Sequence, residues 1–213
     1  MSSNVIWYAA RVGGLTAWAM LSATVLLGLF AATRLLGRRA TPARLQAIHQ
    51  HLGEVTMAFV AVHVLALIAD SYVHFGIVDV LVPFASKWRP VAVAFGVVAF
   101  WTLLAVWLTS VARAHLSRRV WRTVHLASYV TYVATSIHLM TAGTDAWSPV
   151  VQVANFVVSG AVAGLTVLAF VRHRNRRAAG GSTPRIARPT GTMPPAPAPA
   201  TAPVRRERVR VSA

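Results

Sequence analysis

Four histidines lie in stretches of sequence that are otherwise rich in hydrocarbon. His49 and His63 bound HQHLGEVTMAFVAVHV, and His125 and His138 sit in WRTVHLASYVTYVATSIHLM. The members of the first pair are fourteen residues apart and those of the second thirteen. An imidazole changes charge near neutral pH and binds metals through either ring nitrogen, so it can carry protons or hold a metal. Ionisable side chains inside apolar spans are rare and usually mark function. A single such histidine would read as a hydrogen-bonded core residue. Four of them ask what elements carry them and at what depth.

Those elements are membrane helices. The 213 residues are 56% hydrophobic and 12% charged, with mean hydropathy +0.57; soluble domains are about a quarter charged. Five apolar segments reach the ~20 residues needed to cross ~30 Å of hydrocarbon. They lie near 13–33, 46–69, 90–111, 122–141 and 150–171. Backbone groups must pair internally in lipid, so each is expected to be helical. The fold class is an all-α integral membrane bundle of about five spans, residues 1–171. A Pro/Ala/Arg-rich tail, 172–213, is expected to be disordered. Nothing at the N-terminus resembles a cleaved signal peptide, since no basic region precedes the first apolar run. Trp7, Trp88, Trp121 and Trp147 fall near span ends, as interfacial aromatics do. Gly160 and Gly164 make a GxxxG that predicts a close helix contact.

Charge sets the orientation. The net charge is +16. Arg34, Arg38, Arg39 and Arg44 follow span one, and Arg113, Arg118, Arg119 and Arg122 precede span four. The tail carries ten arginines and one glutamate. The opposite side carries Asp70, Asp79, Lys87, Arg89 and Asp145, with Arg11 near the N-terminus. The arginine-rich side should be cytoplasmic, which puts the N-terminus outside and the C-terminus inside a plasma membrane. This rule accounts for the basicity better than nucleic-acid binding does, so no nucleic-acid partner is expected. The outer stretch 71–89, SYVHFGIVDVLVPFASKWR, is long and apolar and should lie along the interface.

Spans two and four then run in the same direction. His49 follows Arg44 by five residues and His125 follows Arg122 by three; His63 and His138 each precede an aspartate by seven. The inner histidines thus match in depth within ~3 Å, and so do the outer ones. This geometry suits two haems stacked across the membrane, ~20 Å apart, each with one imidazole from each helix. Bis-histidine ligation saturates iron and favours electron transfer. With no cysteine in the chain, CxxCH attachment, cysteine-ligated clusters and disulfides are excluded. The competing reading is a non-haem transporter that uses the histidines for protons or metal. Fourteen residues return to within ~40° of the start, so His49 and His63 share a face, while His51 points ~120° from His63. Thirteen residues miss by ~140°, so His125 and His138 need an overwound turn or divergent side chains.

The stretches HQHLGEVTMAFVAVHV, YVHFGIVDVLVPFASKWRPVAVAFG and WRTVHLASYVTYVATSIHLMTAGTD resemble the ferric reductase-like transmembrane family, over roughly residues 12–171. This is the haem-bearing membrane domain of ferric reductases and NADPH oxidases, with relatives in the bacterial methionine sulfoxide reductase system. The family's paired histidines are spaced fourteen and thirteen apart, as here. The resemblance implies two haems b, the inner held by His49 with His125 and the outer by His63 with His138. It implies an electron-transfer subunit of a membrane oxidoreductase. Reductases of the family that act alone carry flavin and nicotinamide domains after the membrane part. About forty residues follow the last span here, without a GxGxxG. Electrons are therefore expected from a cytoplasmic flavoprotein or a quinol, bound for an unidentified acceptor at the outer face. Arg44, Arg122, Lys87 and Arg89 are candidate propionate partners, though snorkelling explains them as well. Glu54, ~140° from His49, is a candidate proton or quinone group. His74, His115 and His173 need no special role, and Trp101 and Trp107 read as packing residues.

Overall fold

The computed structural model describes residues 3–35, 41–70 and 75–181. Among these, every regular element is helical. They are α1 (Ser3–Thr33), α2 (Pro42–Ala69), the short α3 (Ile77–Leu81), α4 (Pro90–Val111), a 3₁₀ turn (Ala112–His115), α5 (Arg118–His125), α6 (Ser128–Ala142) and α7 (Pro149–Gly181). Among the described residues four stretches are long and apolar enough to cross a membrane: Asn4–Thr33, Pro42–Ala69, Pro90–His115 and Pro149–Arg177. The chain is an all-helical, multi-pass membrane protein.

Local chemistry sets the helix ends. α2, α4 and α7 each begin on a proline, whose fixed φ suits the first turn and whose missing N–H is not needed there. The Thr41 hydroxyl caps α2 by accepting from the Arg44 N–H, and the Ser117 hydroxyl caps α5 by accepting from the Val120 N–H. α1 begins ten residues before the expected 13, and α7 ends ten residues beyond the expected 171. The arginines that open the expected tail thus continue a helix. Residues 182–213, Arg38, Arg39 and His74 lie outside the described residues.

The expected span 122–141 is divided. α5 stops at His125 and α6 starts at Ser128. Across the break the Ala127 N–H donates to Val124 O at 2.9 Å, and the Tyr129 N–H to Leu126 O at 3.2 Å. These i→i−3 bonds mark an overwound, 3₁₀-like turn, matching the dihedrals of Leu126 (−65°, −20°) and Ala127 (−63°, −13°). Overwinding recovers part of the ~140° by which thirteen residues miss a common face.

α1 is the central helix. Its Leu21, Val25 and Leu29 pack with Tyr132 of α6 and Val162 of α7. A second cluster joins Phe75 and Val80 of the outer segment to Val93 and Val97 of α4. The outer segment therefore does two things. Phe75 and Val80 are buried over the bundle end, while Ile77, Val78 and Phe84 are exposed as an interfacial surface would be. Trp101 fastens it by donating its indole N–H to Leu81 O at 2.8 Å. Among the described residues the GxxxG of α7 makes no close contact, because a Cβ added at Gly160 or Gly164 would meet nothing within 4 Å.

Polar side chains in the spans are mostly satisfied locally. Thr24, Thr33, Thr56, Thr109, Thr135 and Thr166 each donate to a carbonyl one turn back at 2.7 Å. Between helices, the Thr131 hydroxyl donates to Thr102 Oγ1 at 2.9 Å, and Tyr132 and Ser159 share a bond at 3.0 Å. At one end Arg11 of α1 pairs with Asp145; at the other Arg172 of α7 donates to Thr33 O. Hydrophobicity does not drive helix association in lipid, so packing and such bonds must. Leu21→Ala should open a cavity at the centre and cost about 2–4 kcal/mol, read as a lower thermal midpoint in detergent.

Candidate functional site

α1 and α2 are antiparallel and approach closely enough for backbone contact. A Cβ on Gly13 would lie 3.3 Å from His63 N. One residue on, the His63 ring lies against Gly14, where an added Cβ would come within 2.9 Å of Nδ1. That nitrogen donates to Ala10 O at 2.7 Å. Near the other end of α1 the arrangement recurs. The His49 ring lies against Gly28, and its Nδ1 donates to Thr24 O at 3.0 Å. It recurs again between α4 and α6. His138 lies against Gly96, where a Cβ would fall 2.7 Å from Cε1, and its Nδ1 donates to Ala92 O at 2.8 Å.

In all three cases the accepting carbonyl is four residues before the glycine. That carbonyl already receives the glycine's own N–H in the helix, and its second lone pair takes the imidazole. The ring can reach it only because the glycine has no side chain in the way. Since the carbonyl can only accept, Nδ1 must carry the proton in each ring. In the neutral ring Nε2 then keeps its lone pair, the tautomer a metal ligand needs, with the other nitrogen held from behind.

The four rings meet as two pairs. His49 and His125 have ring centroids 6.0 Å apart, and His63 and His138 have theirs 6.4 Å apart. α2 thus faces the end of α5 across one histidine pair and α6 across the other. The fourth ring is held differently. His125 stacks on Trp121 at 5.0 Å, with 25° between the planes, and the Arg113 guanidinium lies 4.4 Å over the other ring of that stack. Its Nδ1 is buried without a hydrogen-bond partner.

Around the His63–His138 pair is a cavity of about 300 Å³. Apolar side chains such as Leu21, Val64 and Val97 line most of it, and Arg11 and Asp145 stand at its edge. Among the described residues no three or more His, Asp or Glu gather as a bare metal ion would require. The other candidates lie elsewhere. The His51 side chain is 77% exposed, with Nδ1 3.8 Å from Glu54, itself half exposed and accepting from Gln50. Arg44 and Arg122 are exposed. Arg89 donates to Thr141 O at 2.8 Å and stacks on Trp88. His115 and His173 are exposed.

A family model described as ferric reductase like transmembrane component matches residues 13–136. The chain belongs to that family. Among ferric reductase-like domains haem binding is typical. No curated protein and no solved structure gives a significant match. The matched segment contains His49, His63 and His125 and ends two residues before His138; His138 joins them through its contact with His63.

The ring pairs fit the family's cofactor. An imidazole nitrogen sits about 2 Å from a bound transition metal and about 1 Å from its own ring centre, so two axial imidazoles place their centres about 6 Å apart. Both pairs have about that gap, and three of the four rings have Nδ1 tied to a backbone carbonyl. Sequence reasoning missed these cradles. The signal was present, because Gly14 and Gly28 are fourteen apart, as His49 and His63 are. It also missed Arg11, which no pattern linked to Asp145 across the chain. Gly96→Ala should cost about 1–3 kcal/mol by overpacking a ring that its hydrogen bond holds in place. Gly160→Ala, with open space around it, should leave the thermal midpoint in detergent unchanged.

Proposed function

We propose that the chain is a dihaem b-type cytochrome subunit that carries electrons across a plasma membrane, from the cytoplasmic to the outer face. The observation that carries this reading is the pair of histidine contacts at axial-ligand spacing, one toward each end of α2, in a ferric reductase-like domain. His49 with His125 would hold the inner haem and His63 with His138 the outer one. When bound, the haems supply one-electron carriers on either side of the membrane midplane. The protein's part is to present four neutral imidazoles, exclude water with apolar walls and hold the carriers at fixed separation. Two imidazoles per iron leave no open position, which suits outer-sphere electron transfer. At the outer rim Arg11 is the cation best placed to receive an anionic haem edge.

The same details weigh against a proton or metal path. A relay histidine must exchange protons at both nitrogens, whereas three of these rings have Nδ1 tied to a backbone carbonyl. In this reading α5 and α6 together form a fifth crossing, so that the N-terminus is outside and the arginine-rich face cytoplasmic. A cytoplasmic flavoprotein or a quinol is the donor, and the acceptor lies at the outer face.

The purified protein should give a pyridine haemochrome spectrum of b type with close to two haems per chain. A well-folded, colourless preparation from haem-replete cells would refute the reading. His49→Ala should lose the inner haem or leave it five-coordinate, while His51→Ala should keep both low-spin haems. The reverse result would displace the proposed ligand set. A reporter fused after Val171 should be active only as a cytoplasmic fusion, and an active periplasmic phosphatase there would invert the topology.

A further inference from the structure

The inner and outer sites differ at one place, on α4. Counting fourteen residues along α1, from Gly14 to Gly28, moves from one cradle to the next. The same step on α4, from Gly96, reaches Ser110. Fourteen residues return to within ~40° of the starting face, so Ser110, itself exposed, lies on nearly the same face of α4 as Gly96. The register agrees on both sides. Thr102 bonds Thr131 on one side of the break, and Arg113 covers Trp121 on the other. His125, one turn on from Trp121, therefore lies opposite the turn that contains Ser110. The thirteen residues between His125 and His138 match fourteen on α4 because the overwound turn rises more per residue.

Ser110 is not a vacant cradle. Its hydroxyl donates to Val106 O at 2.7 Å. Val106 is four residues before Ser110, so this is the carbonyl that would correspond to Ala92 O, Ala10 O and Thr24 O. Val106 O also accepts from the Thr109 hydroxyl at 3.2 Å, so its acceptor site is filled from within the helix, and residue 110 carries a Cβ where the other three cradle positions have none. His125 is the one ring of the four whose Nδ1 is buried with no partner.

We propose that Ser110 is a positioning residue that withholds a backbone hydrogen bond from His125 and so raises the reduction potential of the inner haem. This rests on the dihaem reading. A hydrogen bond from Nδ1–H to a carbonyl makes an imidazole a more basic ligand and favours the oxidised metal. His49, His63 and His138 have that bond and His125 lacks it. The inner centre is thereby easier to reduce than a fully bonded one, which favours electron entry from the cytoplasmic side. The stack of Trp121 on His125 replaces the missing bond as the means of fixing the ring.

The test is a redox titration of the haem absorption bands in the full-length protein, comparing wild type, Ser110→Gly and Ala105→Gly. Ser110→Gly opens the cradle and removes the shorter of the two hydroxyl bonds to Val106 O, leaving the 3.2 Å bond from Thr109, so one of the two midpoints should fall while the other stays. Ala105→Gly loosens the same helix on its exposed side, nine residues and so about half a turn of phase from Gly96, so neither midpoint should move. Two bound haems with unchanged midpoints in Ser110→Gly would overturn this inference and leave the dihaem reading standing. Equal shifts in the two variants would also overturn it, by assigning the effect to helix loosening. A wild-type protein without haem would overturn both readings.

Discussion

The bundle depends on a hydrogen bond that few helices can make, from an imidazole N–H to a main-chain carbonyl already engaged in its own helix. In lipid a buried N–H has no water to turn to, and leaving it unpaired costs several kcal/mol. The carbonyl of residue i−4 has a lone pair to spare, but the side chain of residue i normally stands in the way. Glycine removes it. Ala10 with Gly14, Thr24 with Gly28 and Ala92 with Gly96 are three instances of this arrangement. Each fixes the tautomer of a histidine, its ring direction and the distance between two helices.

Most of the architecture follows from that. Two such bonds, about fourteen residues apart, clamp α1 against α2 in a single register. A third joins α4 to α6. The molecule is built as two stiff helix pairs whose histidines face each other, with α1 also packing on α6 and α7 through Leu21, Val25, Tyr132 and Val162. Because lipid gives helices little hydrophobic reason to associate, the space between the pairs can stay open to a flat apolar group. The Arg11–Asp145 pair and the Phe75–Val80 segment close its outer end.

Much of this was legible in the sequence, and the unread part has a common cause. Long apolar runs locate α1, α2, α4 and α7, since hydropathy reports the solvent directly. The helix ends were less legible. The turns before 13 and after 171 remain helical although they are more polar, because a helix satisfies its own backbone whether lipid or water surrounds it. Histidines at matched depth stood out because ionisable groups in hydrocarbon are costly. The glycines did not, since a glycine in a helix has no signature beyond flexibility or close packing. Gly160 and Gly164 fit the packing motif and touch nothing, whereas Gly14, Gly28 and Gly96 fit no motif and seat the site. What distinguishes them is the partner across the gap, which only register reveals.

The thirteen-residue spacing shows how a local misfit carries information. In an ideal helix His125 and His138 would point ~140° apart. The chain meets this with the i→i−3 bonds at Ala127 and Tyr129, which add rotation and rise in one turn. Added rotation turns the two rings toward α2, and added rise lets thirteen residues span what fourteen span on the straight helices beside them. A fourteen-residue spacing would have kept α6 regular. It would also have left the inner ring without the break that ends α5 at His125, where Trp121 stacks on it one turn back. The interruption that lowers the apolar continuity of the 118–142 segment is thus the feature that aligns its two histidines.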